Sequence, residues 1–202
     1  MNDDLPDPWN PLEFRRAVEV QLRCIGEDLS REGLRDTPRR VEIAWDFWTS
    51  GYGVDPAEVL TTFNDGAESY DELVFLSCIP FYSMCEHHMT PFFGVAHVGY
   101  IPNGRIVGLS KLSRVVEIFA RRLSVQERVC AQTADALMEH LKPLGCGVVL
   151  QARHMCMESR GIQKPGTITV TSALRGCIKD HAGARTEFLG MVQSASQGLR
   201  SL

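Results

Sequence analysis

The chain has 202 residues, 44% of them hydrophobic and 23% charged, proportions ordinary for a globular protein. Its net charge of −4 does not favour nucleic acid as a partner, and no apolar run approaches the ~20 residues that cross a bilayer, so no membrane partner is expected. The acidic N-terminus, Met1 to Pro8, lacks the basic and apolar regions of a signal peptide, so a cytoplasmic location is expected. Seven cysteines, an odd number, read as buried thiols or metal ligands rather than a disulfide framework. Basic residues gather locally at Arg105, Lys111, Arg114, Arg121 and Arg122, and again at Arg153, Arg160 and Lys164. In an acidic chain that distribution fits a small anionic ligand in a pocket.

In chain order, Asn10-Pro11-Leu12-Glu13 predicts a helix start, with Asn as cap and Pro at the first helical position. Phe14, Val18, Leu22, Ile25 and Leu29 continue it as an apolar stripe. Thr37-Pro38 predicts a second helix, loaded with Val41, Ile43, Trp45, Phe47 and Trp48 and ending at Gly51. Together they suggest an antiparallel helical hairpin whose aromatic load packs on something. Residues 53–71 read as a connector. Leu73 to Ile79 reads as a strand closed by Pro80, and Phe92 to Ile101 as another. Pro102-Asn103-Gly104 predicts a hairpin turn with Arg105 to Gly108 as the return strand. Helices are expected from Ser110 and from Ser124, strands over 148–157 and 167–171, and a closing helix over 185–193. Hairpin strands with helices inserted as a block indicate α+β with a mostly antiparallel sheet.

Chemistry concentrates in Cys85-Glu86-His87-His88 and in Arg153-His154-Met155-Cys156-Met157. Cys85 and His88 form a C-x₂-H pair, a spacing at which a tight turn aims both side chains at one metal ion. Zinc takes thiolates and imidazoles, and Cys156 would complete a Cys₂His set that leaves a position for water. On a strand, His154 and Cys156 would face the same side, and His87 and His154 would flank the metal as proton carriers. Such a site suits hydrolytic attack on a polarised carbon. Ser110-Lys111-x-x-Arg114 at a helix start reads either as a polyphosphate site or as a solvated, capped helix face. Glu127 reads either as the far end of a Ser124 capping box or as an acceptor for paired N–H donors of a guanine edge.

These motifs resemble GTP cyclohydrolase I of the zinc-dependent type. The resemblance rests on Ile79 to His88, Tyr100 to Gly104, Gly108 to Leu112, Val125 to Arg128, Arg153 to Met157, Arg160 to Lys164, Thr171 to Gly176 and Gly33 to Val41, in order over residues 12–193. It implies a tunnelling fold: an antiparallel sheet backed by helices, over residues 53–202, with an N-terminal helical hairpin over 1–52. It also implies an oligomeric β-barrel ring, a homodecamer of two pentamers with sites between subunits. The reaction implied is GTP plus water to formate and 7,8-dihydroneopterin triphosphate, the first step of pterin biosynthesis leading to folate or tetrahydrobiopterin. Cys85, His88 and Cys156 match the zinc ligands. His154 matches the histidine that protonates the purine as water attacks C8, and His87 the acid–base group for ribose opening. Glu127 matches the guanine-binding carboxylate, with Gln126 beside it. Ser110, Lys111, Arg114 and Arg160 match triphosphate and ribose contacts, Ser110 also standing among the catalytic groups, and Arg40 matches an arginine supplied across a subunit boundary. Two rivals are a zinc-free nitrile reductase relative with a cysteine nucleophile and a catalytically silent zinc- or nucleotide-binding partner. The complete ligand set argues against the first, and the presence of both His87 and His154 against the second.

Overall fold

The computed structural model describes residues 9–63 and 69–198. Met1 to Pro8 and residues 64–68 of the expected connector lie outside the described residues. The chain divides between Thr49 and Ser50 into two compact units.

In the first unit, α1 (Pro11–Cys24) starts as expected. Asn10 accepts hydrogen bonds from the Leu12 and Glu13 amides at 3.1 and 3.2 Å. A single turn, α2 (Glu32–Arg35), precedes α3 (Thr37–Thr49). The two long helices meet through Phe14 against Trp45, with ring centroids 5.9 Å apart, and Trp45 continues onto Trp48 at 6.0 Å. Glu42 is buried, and Arg15 Nη2 bonds it at 2.9 Å.

The second unit is built on a five-stranded sheet in the order β5-β2-β3-β6-β7. Its strands are β2 (Val74–Cys85), β3 (Thr90–Ile101), β5 (Leu123–Ser124), β6 (Gly145–His154) and β7 (Thr169–Gly176). All neighbours are antiparallel except β5, which runs parallel to the end of β2. One face packs on α5 (Leu109–Ala120) and α6 (Gln126–Ala136). Leu112, Val115, Val116 and Phe119 of α5 meet Ala96, Val98, Val148 and Leu150 there. Each such fully buried side chain contributes roughly 1.5–3 kcal/mol over its exposed state. The opposite face takes α8 (Cys177–Asp180) and α9 (Ala182–Gly198), the closing helix, which is longer than the sequence pattern indicates. Phe188 of α9 packs over Gly99 and Gly147: a Cβ on Gly147 would come within 2.7 Å of its ring, so a side chain there would force the ring to shift.

Several local expectations give way to tertiary pairing. Pro80 does not close its strand. β2 runs on to Cys85 because β5 pairs only with Met84 and Cys85, so no neighbour asks Pro80 for an N–H on that side. The return strand after Asn103-Gly104 shrinks to β4 (Ile106–Val107), which pairs with β1 (Thr62–Phe63), while the Ile101 carbonyl accepts from Leu144 N at 2.9 Å. Ser124 caps nothing. It is drawn into β5 opposite Cys85, and α6 starts after Val125 without a side-chain cap.

His97 of β3 is fully buried beside Phe75, with ring centroids 6.2 Å apart, and neither ring nitrogen has a hydrogen-bond partner among the described residues. Burial holds its imidazole below the ordinary value. The unfolded chain therefore binds the proton first as pH falls through about 6.5, and stability is lost from there downward. His97→Phe is expected to raise stability by roughly 1–3 kcal/mol by removing unpaired polar atoms. It is also expected to flatten this acid limb relative to the wild type. Thermal unfolding at pH 7.5 and 5.5 checks both, and an unchanged or steeper acid limb contradicts the assignment.

Candidate active site

The end of β2 and the start of β3 are joined by the turn Glu86 to Met89. It closes through hydrogen bonds from Met89 N and His88 N to the Cys85 carbonyl at 2.8 and 3.3 Å. Met89 adopts a left-handed φ of 52° to reverse the chain. The turn brings His88 Nδ1 to 3.9 Å from Cys85 Sγ.

The third thiol arrives from β6, through a different local structure than a continuous strand would provide. β6 ends at His154, and Cys156 lies in the first turn of α7 (Met155–Glu158). Strand alternation therefore does not place His154 and Cys156 together. What places them is the pairing of β6 with β3, His154 opposite Phe92, followed by the helical turn. The ligand atoms of Cys85, His88 and Cys156 lie within 4.8 Å of one another and could hold a metal ion. Burial raises the Cys156 thiol, and the adjacent Cys85 raises it further, whereas the Thr90 hydroxyl favours its thiolate form. Two thiols that oppose each other's ionisation are relieved by a cation between them, so the donor set fits a metal. Cys130 and Cys146 contrast with them. They are buried, their thiols pushed up to about 11 and about 12 and hydrogen-bonded to the Val148 and Ala134 carbonyls. They are inert core thiols.

His154 is fixed on two sides. Its ring stacks parallel on the buried Phe92, centroids 4.8 Å apart, and its Nε2 lies 2.8 Å from Gln126 Oε1. Burial lowers its pKa, and the charge of Glu127 opposes that shift. Glu127, in the first turn of α6 and free of any capping box, lines a cavity of about 500 Å³ with Thr171, Ser172 and Arg175 of β7 and Lys179. Gln126 is buried and bonded entirely within the protein. His87 stands exposed on the turn, Nε2 4.0 Å from Glu86 Oε1.

Among the described residues no hydrogen bond or ion pair joins the other expected site residues to this cluster. Ser110, Lys111 and Arg114 occupy the first turns of α5, whose cap is Gly108 rather than Ser110. Arg114 also lines a small cavity with Gly51, Val59 and Glu117. Arg160 is exposed in the turn after α7. Arg40 lies in the N-terminal unit, where its Nη2 donates to the Gly33 carbonyl at 2.8 Å and to Thr37 Oγ1 at 3.0 Å.

Two features escape the sequence. Phe92, the platform for His154, reads as a strand residue like its neighbours and acquires its role only through cross-strand register. Glu86 forms a forked ion pair with Arg128, Nη2 to Oε1 at 3.2 Å, which ties the Cys-His turn to the first turn of α6. The Arg128 guanidinium holds the Glu86 carboxyl below the usual carboxylate range. Two opposite charges so far apart in the chain give no local signal.

A family model described as GTP cyclohydrolase I matches residues 14–193. The chain belongs to the GTP cyclohydrolase I family. The GTP cyclohydrolase 1 of Janthinobacterium sp. (strain Marseille) is 58% identical over 184 residues, 91% of each chain. That of Nitrosospira multiformis is 59% identical, covering 86% of this chain and 91% of the relative. That of Wolinella succinogenes is 55% identical over 88% of this chain and 96% of its own. Among solved structures, the apo archaeosine synthase QueF-Like aligns over 52% of this chain and 93% of its own, with TM-score 0.42 and 18% identity, a likeness too slight to argue from. As a GTP cyclohydrolase I family member the chain is an enzyme, and none of its described helices is long and apolar enough to cross a membrane.

Proposed function

We propose that this chain converts GTP and water to formate and 7,8-dihydroneopterin triphosphate, with zinc held by Cys85, His88 and Cys156. The convergence of those ligand atoms within 4.8 Å, next to His154, is the observation that carries this reading. Zinc in that position supplies Lewis acidity that makes water nucleophilic near neutral pH. His154 moves a proton between the attacking water and the imidazole ring of the purine, and its stacking on Phe92 limits it to one orientation. His87, exposed beside the ligand turn, serves the later opening of the ribose. The two oxygens of Glu127 accept the paired N–H donors of the guanine edge, an acceptor role that only an ionised carboxylate fills.

Ser110, Lys111 and Arg114 bind the triphosphate and ribose with Arg160, and the N-terminus of α5 adds free amides and positive potential. Ser110 also takes part in the later sugar chemistry. Residues 53–202 form a tunnelling-fold catalytic domain, and residues 1–52 an N-terminal helical hairpin region. Subunits assemble as a decamer of two pentameric rings in the cytoplasm, with Arg40 serving a neighbouring subunit. The outer edge of β7, eight residues long and without a strand partner among the described residues, supports assembly by sheet extension. The product feeds pterin biosynthesis, toward folate or tetrahydrobiopterin.

The test is direct. Zinc-loaded protein incubated with GTP is expected to release formate and a fluorescent-on-oxidation pterin in equal amounts. A folded, metal-replete sample that yields neither refutes the reading.

A further inference from the structure

We infer that Gln126 is a positioning residue for His154, holding its Nε2 as the hydrogen-bond donor and so fixing the tautomer of the ring, rather than a substrate contact. The inference deepens the reading of His154 as the proton-transfer group and rests on it.

The Gln126 side chain is 1% exposed, so every polar atom must find its partner inside the protein. Its Nε2 lies 3.0 Å from the Leu150 carbonyl, 3.1 Å from the Thr169 carbonyl and 3.1 Å from Thr171 Oγ1. A carbonyl oxygen only accepts. Both amide hydrogens are therefore claimed by the two main-chain carbonyls, with the Thr171 hydroxyl sharing them. Rotating the amide by half a turn would set Oε1 against two carbonyl oxygens in a buried site. The network thus admits one orientation.

With the amide fixed, Oε1 faces His154 Nε2 at 2.8 Å. An amide oxygen cannot donate, so the imidazole must, and Nε2 carries the hydrogen. In the neutral ring Nδ1 is then the nitrogen with a lone pair. Phe92 stacks on one face of the same ring and holds its plane. Gln126 has no remaining hydrogen-bonding capacity pointed outward with which to read a guanine. Its neighbour Glu127, one residue along the same helix, opens instead on the cavity beside β7.

The Nε2–H thus stays on Gln126, and the imidazole is held in one tautomer. Without Gln126 the imidazole exchanges tautomers and presents the wrong nitrogen for part of the time.

The experiment uses zinc-loaded, full-length protein labelled with [15N]histidine and examined by solid-state NMR. The chain has six histidines, and the His154 signals are those missing from His154→Asn. Wild type is expected to show His154 protonated at Nε2 and unprotonated at Nδ1. A wild-type spectrum with the proton on Nδ1 overturns the inference without any variant and leaves the formate assay untouched. Gln126→Met keeps the length of the side chain and removes the acceptor. It is expected to lower kcat by about 10–100-fold, as orienting partners do, with zinc content and KM for GTP little changed. A raised KM with normal kcat would instead make Gln126 a substrate contact and refute the proposal. Failure of the wild type to release formate would refute the functional reading and not this one.

Discussion

Cys156→Ala is expected to lose zinc and activity together, with turnover reduced by about 10³-fold or more. The remaining donors, Cys85 Sγ and His88 Nδ1, lie 3.9 Å apart and are both carried by one four-residue turn. Two donors on so short a segment bind a divalent ion far more weakly than three, because the third is what closes the site around it. The fold should survive. Cys156 is only half-buried, in a single helical turn, and its truncation removes little apolar contact. Metal content by elemental analysis, formate release and thermal unfolding separate these effects. A variant that retains stoichiometric zinc would remove Cys156 from the ligand set. Cys130→Ala is the matching control. Its thiol is pushed up to about 11 by burial and bonded to the Val148 carbonyl, so metal content should not change even if stability falls.

His154→Ala should behave in the opposite way, keeping zinc while turnover falls by about 10²–10⁴-fold, the usual worth of a positioned acid–base group. No ligand atom is removed, and the Cys85–His88–Cys156 cluster does not depend on the imidazole. Loss of the stack on Phe92 costs stability of roughly 0.5–1.5 kcal/mol, too little to unfold the domain. The comparison of metal content with kcat is decisive here. Normal turnover with His154 gone would mean that another group moves the proton.

On the proposed roles, the two variants are expected to divide one short stretch of β6 and α7 into a ligand and a proton carrier, separated only by Met155. Gln126, hydrogen-bonded to His154, comes from α6 and not from either segment that carries the Cys-His-Cys cluster. Glu86 and Arg128 join α6 to the Cys-His turn as well. The Cys-His turn, the end of β6 and the start of α6 thus form one connected assembly.

What could be read in advance was whatever depends on neighbours in the chain. The Asn10 cap, the α5 stripe, the Cys85/His88 turn and the density of titratable groups at 85–88 and 153–157 all follow from local spacing, since the backbone periods of helix and turn place those side chains without help from elsewhere. Local rules failed where distant segments competed for the same backbone groups. Ser124 and Glu127 satisfy the pattern of a capping box, yet pairing of Ser124 with Cys85 left the helix to begin two residues later and freed Glu127 for the cavity. Asn103-Gly104 promised a hairpin, yet β1 captured Ile106 and Val107. Spacing likewise put His154 and Cys156 on one strand face, whereas a helical turn after β6 delivers Cys156 to its partners. The composition of the site was therefore written in the chain, because ligand and acid–base chemistry belongs to residue types. Its geometry came from the β3–β6 register and the burial of Gln126, which exist only once the sheet has formed and water has been excluded from its face.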